Sequence, residues 1–196
     1  MSTPISKTAL EQLFLDARTH SHWQAREVPD SVLVHLFDLM KHCPTSANCS
    51  PARLVFVKTP EAKARLKPCL AEGNVEKTLA APVTVIVALD NRFYEHLPFL
   101  FPHADARSWF EGNQPLIDAT AFRNSSLQGA YLILAARSLG LDCGPMSGFD
   151  PARLNAEFFP DGRFSANFLV NLGYGDASKL YPRNPRFEFD TVCSVL

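Results

Sequence analysis

Apolar residues fall at helical spacing in the first stretch of the chain. Leu10, Leu13, Phe14 and Ala17 share one side of a helix expected over Ile5–Thr19. A second helix is expected in "EVPDSVLVHLFDLMKHC", capped by Asp30 or Ser31, with Leu33, Leu36, Phe37 and Met40 facing inward and Pro44 ending it. The period then changes. Arg53–Lys58 and Ala81–Asp90 are β-branched, apolar runs that read as buried strands. Between them "TPEAKARLKPCL" opens with a cap and a proline at the first helical position. Ile117–Leu139 is the longest helical pattern, and it is apolar over much of its surface. Such a helix is either buried on nearly all sides or held in a dimer interface. Gly140 ends it, "CGPMSGFD" reads as a turn-rich link, and "PARLNAEFF" starts a short helix. "FSANFLVNLGYGD" is a third strong strand, and the tail "SKLYPRNPRFEFDTVCSVL" is broken by prolines before a short strand-like end. Three strong strands among more helices, without a steady βαβ rhythm, give an α+β class: a small sheet flanked by helices around one long buried helix.

The bulk numbers narrow the function. A chain of 196 residues is expected to form a single domain over 1–196 with a substantial core. A formal net charge of -1, with scattered positive residues, argues against a nucleic-acid or membrane-surface partner. The polar, then amphipathic start does not read as a signal peptide, so a cytoplasmic location is expected. The five cysteines are spread out with no C-x-x-C pair, as in proteins whose thiols stay reduced.

Three chemistries fail on spacing. His42, Cys43 and Cys49, with Asp90, His96, His103 and Asp105 further on, lack zinc-type spacing, and no metal site is expected. "GPMSGF" is not an esterase elbow, because Ser147 lacks glycines two before and two after it. Neither a P-loop nor a strand-linked dinucleotide fingerprint occurs. What remains is a scattered polar set suited to a flat, polar-rimmed cofactor: Arg18, Thr19 and His20; Ser46, Asn48 and Ser50; Asn74 and Lys77; the backbone of "GPMSG"; and Arg183. Each also has a plain reading as a salt bridge, a turn or a cap. The aromatic-rich stretch Asn91–Asn113 either covers a ligand or packs on a partner subunit.

"RTH" near the start, "PTSANCSP", N-x-x-K before a strand, "GLDCGPMSGFD" and "YPRNPR" together resemble the nitroreductase family over nearly the whole chain. The resemblance implies a nitroreductase-like fold, an intertwined homodimer, FMN as cofactor and NADH or NADPH as co-substrate. It also implies roles for particular residues. Arg18 and Arg183 would meet the FMN phosphate, with Thr19 beside them and His20 where the family often has serine; the imidazole can donate to the phosphate or lie near the ribityl chain. Tyr181 stands where the family often has a lysine. Ser46, Ala47, Asn48 and Ser50 form the cofactor loop, but "NCSPA" replaces the usual "N-x-Q-P-W", leaving smaller side chains. Asn74 and Lys77 would sit at the ring edge, where an ammonium stabilises the anionic reduced flavin. Pro145, Met146, Ser147 and Gly148 would lie over the ring, with a backbone N–H toward N5 and serine replacing a common acidic residue. Asn124 matches an amide near the cofactor.

Within that family, "TSANCSPARLVF", "LPFLFPHADARSWF", "TAFRNSS" and "GPMSGFD" resemble the malonic semialdehyde reductase group of pyrimidine degradation. The chemistry implied is ping-pong hydride transfer through flavin N5 to an aldehyde. No protein side chain is expected to be the catalytic group. A carboxylate-bearing substrate needs a cationic anchor, for which Arg107, Arg123 and His103 are candidates. A broad quinone or nitro reductase of the same fold, and a non-catalytic flavin-binding protein, stay open.

Overall fold

The computed structural model describes residues 3–196. Four strands form one antiparallel sheet in the order β1-β2-β4-β3: β1 Ala52–Val57, β2 Val83–Asp90, β3 Asp142–Met146 and β4 Phe164–Gly173. Around it lie α1 (Lys7–Leu10, continued by a wider turn over Glu11–Leu15), α2 (Asp30–Met40), α3 (Pro60–Leu66) and α4 (Glu72–Ala80). They are followed by α5 (Leu97–Leu100), α6 (Gln114–Ser138), α7 (Pro151–Phe158) and α8 (Phe189–Val192). This is the expected α+β class, a small central sheet flanked by helices.

The strand β2 is apolar on both faces because both are covered. Val83, Val85 and Val87 pack with Val170 and Leu172 against α2 and α6, through Leu33, Leu36, Met40, Leu132 and Ala136. Ile86 and Ala88 point the other way, with Leu169, Leu66, Leu154 and Phe159. The row Val55–Ile86–Leu169–Met146 crosses all four strands and fixes the register. Burying each such aliphatic side chain contributes about 1.5–3 kcal/mol. Opposite Val87 and Ala88 the register shifts, leaving Asn167 as the extra residue of a bulge. Its amide reaches Ser125 and Ser126 on α6.

Helix α6 begins at Asn113, whose side chain accepts from the Leu116 N–H, and ends before Gly140, held at φ +76°. Its buried side carries Thr120, Asn124, Ser125 and Gln128 beside Ile117, Leu132 and Ala136. Its exposed side carries Phe122, Leu127 and Tyr131. That is the reverse of an ordinary surface helix. Gly129 is needed where α6 crosses β4, since a Cβ there would lie 2.3 Å from Phe168.

Several expectations are corrected. "DCGPM" is an edge strand, not a link; β4 pairs with it on one side and a single bridge from Thr19 to Cys143 on the other, so Pro145 costs little. Neither Asp30 nor Ser31 caps α2, because the capping position is Pro29 and the Asp30 carboxylate pairs with Lys58. Phe37 faces outward, 49% exposed, one position off the buried Leu33–Leu36–Met40 stripe. The first helix ends at Leu15, short of Thr19, with Phe14 and Leu15 exposed. The tail forms one helical turn, α8, rather than a strand. No helix among the described residues is long and apolar enough to cross a membrane.

Candidate functional site

The edge strand β3 organises the first half of the site. Thr19 bridges to Cys143, and the His20 N–H donates to the Cys143 carbonyl at 3.0 Å. The segment after α1 is thereby held along the free edge of the sheet. Trp23 donates its indole N–H to the Lys77 carbonyl at 3.1 Å, drawing α4 to the same edge. Past β3 the chain turns at Ser147 and Gly148. There the Asn74 amide and the Ala71 N–H both donate to the Gly148 carbonyl, at 2.7 and 3.0 Å. A Cβ at Gly148 would fall 2.3 Å from Asn74 Nδ2, so any larger residue here displaces the Asn74 amide. The Ser147 and Gly148 N–H groups find no acceptor among the described residues. Met146 is fixed below by Thr78, whose hydroxyl lies 3.6 Å from its sulfur. Lys77, half-buried, has no carboxylate partner among the described residues.

At one end of this edge lies a cavity of about 690 Å³ walled by Phe14, Arg18, Thr19, Ser21, Arg137, Tyr181, Arg183 and Arg186, among others. Its wall holds four guanidinium groups and no carboxylate. The tail is pinned over it by Arg18, which donates to the Tyr181 carbonyl, and by Arg183, which donates to the Leu15 carbonyl at 2.6 Å. Arg137 donates from Nη1 to the Leu13 carbonyl at 2.9 Å, while its buried Nε has no partner. Backbone carbonyls orient these cations without neutralising them. Four uncompensated positive charges around one hollow are unfavourable unless an anion joins them. Arg137 and Arg186 did not stand out in the sequence. Their signals were faint: an arginine in the last turn of α6, and a second arginine in "YPRNPR".

The His20 ring is not on that wall. It is 5% exposed and packs on Gly175, with Nε2 3.4 Å from Asp142 Oδ1 and Nδ1 without a partner. An expected donation to a phosphate therefore does not come from this ring as it stands.

The second half lies elsewhere. Ser46 donates its N–H to Asn124 Oδ1 at 2.9 Å, and Asn124 returns its amide to the Thr120 carbonyl at 2.8 Å and the Ser46 hydroxyl at 3.4 Å. Asn48 donates to the Leu100 carbonyl, and the Ser50 N–H to the Thr45 hydroxyl. Ala47, Asn48 and Ser50 all have positive φ, at 48°, 51° and 37°. Three non-glycine residues in the left-handed region within four positions is stored strain, held by these side-chain bonds. Cys49 is buried here, its thiol pushed up to about 11 by burial, and Cys43 is buried beside the loop; both pack as small apolar groups.

This loop leads into β1, at the opposite edge from β3. Three strand spacings separate the edges, about 14 Å. The six-residue offset from the Leu172–Cys143 row, which Thr19 adjoins, to the Ala52 row adds about 20 Å along the strands, away from the arginine cavity. One chain thus brings Arg18, Thr19, Asn74, Lys77, Pro145–Gly148 and Arg183 along one edge, and holds Ser46, Ala47, Asn48, Ser50 and Asn124 apart from them. The expected substrate anchors sit outside the arginine cavity. Arg107 is exposed and paired with Glu111 at 2.6 Å, Arg123 is exposed on α6, and His103 is exposed with its ring against Phe101.

The family model described as the nitroreductase family matches residues 3–174. A protein of Burkholderia lata, named "Putative NADH dehydrogenase/NAD(P)H nitroreductase", is 67% identical over 193 residues, 98% of this chain and 99% of that protein. A solved structure from Bacillus subtilis described as a "putative nitroreductase" superposes with a TM-score of 0.89 at 20% identity, over 97% of this chain and 100% of that one. Another, from Exiguobacterium sibiricum and solved "in complex with FMN", has a TM-score of 0.86 at 17% identity and covers all of both chains.

Proposed function

The chain belongs to the nitroreductase family, and on that premise we propose that it is an FMN-dependent NAD(P)H oxidoreductase that reduces malonic semialdehyde to 3-hydroxypropionate. The observation that carries the cofactor reading is the arginine-walled cavity with no acid on its wall, whose Thr19 is bridged to Cys143 of β3. A dianionic phosphate fits those guanidinium donors, and Arg18 and Arg183 would hold it with Arg137 and Arg186. The donors of Ser147 and Gly148 and the Lys77 ammonium fit an electron-poor heteroaromatic ring that gains negative charge on reduction.

Bound FMN supplies the acceptor and donor of a hydride between NAD(P)H and an oxidised substrate. Across the whole reaction NAD(P)H gives up a hydride, the medium gives a proton, and an aldehyde becomes an alcohol. The protein's part is to bind, orient and exclude water. Arg18 and Arg183 fix the phosphate end, Asn74 holds the Gly148 turn, and Lys77 offsets charge at the ring edge.

A homodimer completes this reading. The strained Ser46–Ser50 loop with Asn124 would serve the β3 edge of a second copy. Exposed Phe14, Leu15, Phe122, Leu127, Phe187 and Val192 form apolar surface of the kind a subunit contact covers. The name borne by the Burkholderia relative favours a second reading, a broader NAD(P)H reductase of nitro compounds or quinones. Steady-state kinetics on the purified holoprotein separates the two. A kcat/KM for malonic semialdehyde well above that for a quinone supports the aldehyde reading, and the reverse order removes it.

A further inference from the structure

A second cavity, of about 310 Å³, is walled by residues of α2, β1, α5 and α6 and by Ser50 at the end of the Ser46–Ser50 loop. Its wall includes Ser50, Lys41, Arg53, His96, Phe99 and Gln128, and no aspartate or glutamate. Gln128 is the telling residue. It is 5% exposed, and its Oε1 accepts from the Ala52 N–H at 2.8 Å. Its Nε2 donates to no group among the described residues and faces the hollow. An amide held by its oxygen presents its N–H groups in a fixed direction.

Arg53 reaches in from β1. Two carbonyls, of Ser50 and Ala52, take its Nη1 at 3.0 and 2.9 Å, and Asp90 takes its Nη2 at 2.8 Å. Its Nε is left without a protein acceptor among the described residues. Asp90 does not offset the cavity's cations alone, because Arg163 also binds it, through Nε at 2.7 Å and Nη2 at 3.1 Å. His96 sits at the mouth, 3.3 Å from Asp90 and 3.2 Å from Arg163, and Lys41 is paired outward with Asp38. Phe99, 84% exposed, borders the opening. The wall is therefore rich in donors and bordered by an aromatic ring. Its volume is at the low end for ligand sites, too small for a whole dinucleotide.

We infer that this cavity binds the carboxylate end of a short acid, and that Gln128, Arg53 and His96, rather than Arg107, Arg123 or His103, select a carboxylate-bearing acceptor. Ser50 belongs to both the cavity wall and the cofactor loop. An acid seated here in one copy would lie beside the ring bound at the β3 edge of its partner. The inference rests on the oxidoreductase reading for the acid's role as acceptor, but not for its binding.

Ligand-observed NMR titration of the full-length protein saturated with FMN, so that the arginine cavity is taken, with propionate and with propionamide tests it without turnover. The expected result is that propionate binds on the order of tenfold more tightly than the amide. Gln128→Glu keeps the acceptor for Ala52 and reverses the charge offered to the ligand, so the preference should vanish. Lys41→Glu, on an exposed side chain, should lessen it several-fold where folding is not at stake. Equal binding of acid and amide to the wild type, or a preference that survives both substitutions, overturns the inference. Quinone turnover with NADH or NADPH on the same samples reports separately on the oxidoreductase reading: loss of turnover with the acid preference intact removes that reading alone.

Discussion

Replacing Gly148 by alanine puts a methyl group into the narrowest contact of the β3 edge. The new Cβ would lie 2.3 Å from Asn74 Nδ2, whereas its next neighbour off that side chain, the Ala71 Cβ, is at an ordinary 3.5 Å. The amide must swing away and give up its 2.7 Å bond to the Gly148 carbonyl. The lost bond costs about 1 kcal/mol. Forced repacking brings the total for Gly148→Ala to about 1–3 kcal/mol. Asn74→Ala alone should cost about 1 kcal/mol, since the Gly148 carbonyl keeps its bond from Ala71. In the double variant the methyl finds space where the amide was. Its cost should be near that of Asn74→Ala alone, so the two changes couple by about 1–3 kcal/mol, the whole cost of Gly148→Ala alone. Thermal or urea melts of the four proteins measure this; in a chain of this size each kcal/mol moves the melting midpoint by about 2–4 °C. If the double variant equals the sum of the singles within about 0.5 kcal/mol, the Gly148–Asn74 contact is not what holds the turn.

Arg18→Ala and Arg183→Ala should each weaken FMN binding about 10- to 100-fold, from loss of one charge-assisted contact, as read by fluorescence quenching on adding FMN to stripped protein; unchanged affinity in both would unseat the phosphate assignment. Burial alone would push the Asp90 carboxyl up, but hydrogen bonds and charge from Arg163 and Arg53 hold it below its usual range. Its contribution to stability is thus complete above the unfolded value near ~3.9 and is lost as pH falls through the lower folded value. Asp90→Asn should cost about 3 kcal/mol or more at neutral pH, with the gap to wild type narrowing below about pH 4 in melts across pH; a constant gap contradicts this. Of five thiols only Cys193 is exposed, and burial pushes Cys143 up to about 12. An aromatic disulfide reagent at neutral pH should label Cys193 quickly and the other four only on unfolding, and Cys193→Ser should remove the fast phase.

The sequence made the buried parts of the fold legible and left its edge obscure. Strands β1, β2 and β4 were readable because β-branched runs covered on both faces leave an unbroken apolar signal. In β3, "DCGPM" carries a glycine and a proline that ordinarily mark a turn; only an edge position tolerates that pairing. Helix α4 has a single fully buried residue, Thr78, so no apolar stripe announced it. The ending "FEFDTVCSVL" alternates like a strand, yet among the described residues it joins no sheet and forms a helical turn instead. For the site, Arg18 and Arg183 are 165 positions apart, and only resemblance joined them; the structure supplied Arg137 and the absence of any acid on the cavity wall. Gln128, Arg53 and His96 sit on a long helix, a strand and a short 3-10 helix with no common motif, so no spacing rule could gather them. The outward Phe122, Leu127 and Tyr131 explain why α6 read as buried on nearly all sides: its polar side is the inner one.

On the reading proposed above, the β3 edge with its arginine cavity holds FMN, which passes electrons from a nicotinamide to the acceptor. The most direct measurement is the visible spectrum of the purified full-length protein, before and after anaerobic addition of NADH or NADPH. The expected result is flavin absorbance that travels with the protein and bleaches with one of the two. Colourless protein that takes up no added FMN would contradict it.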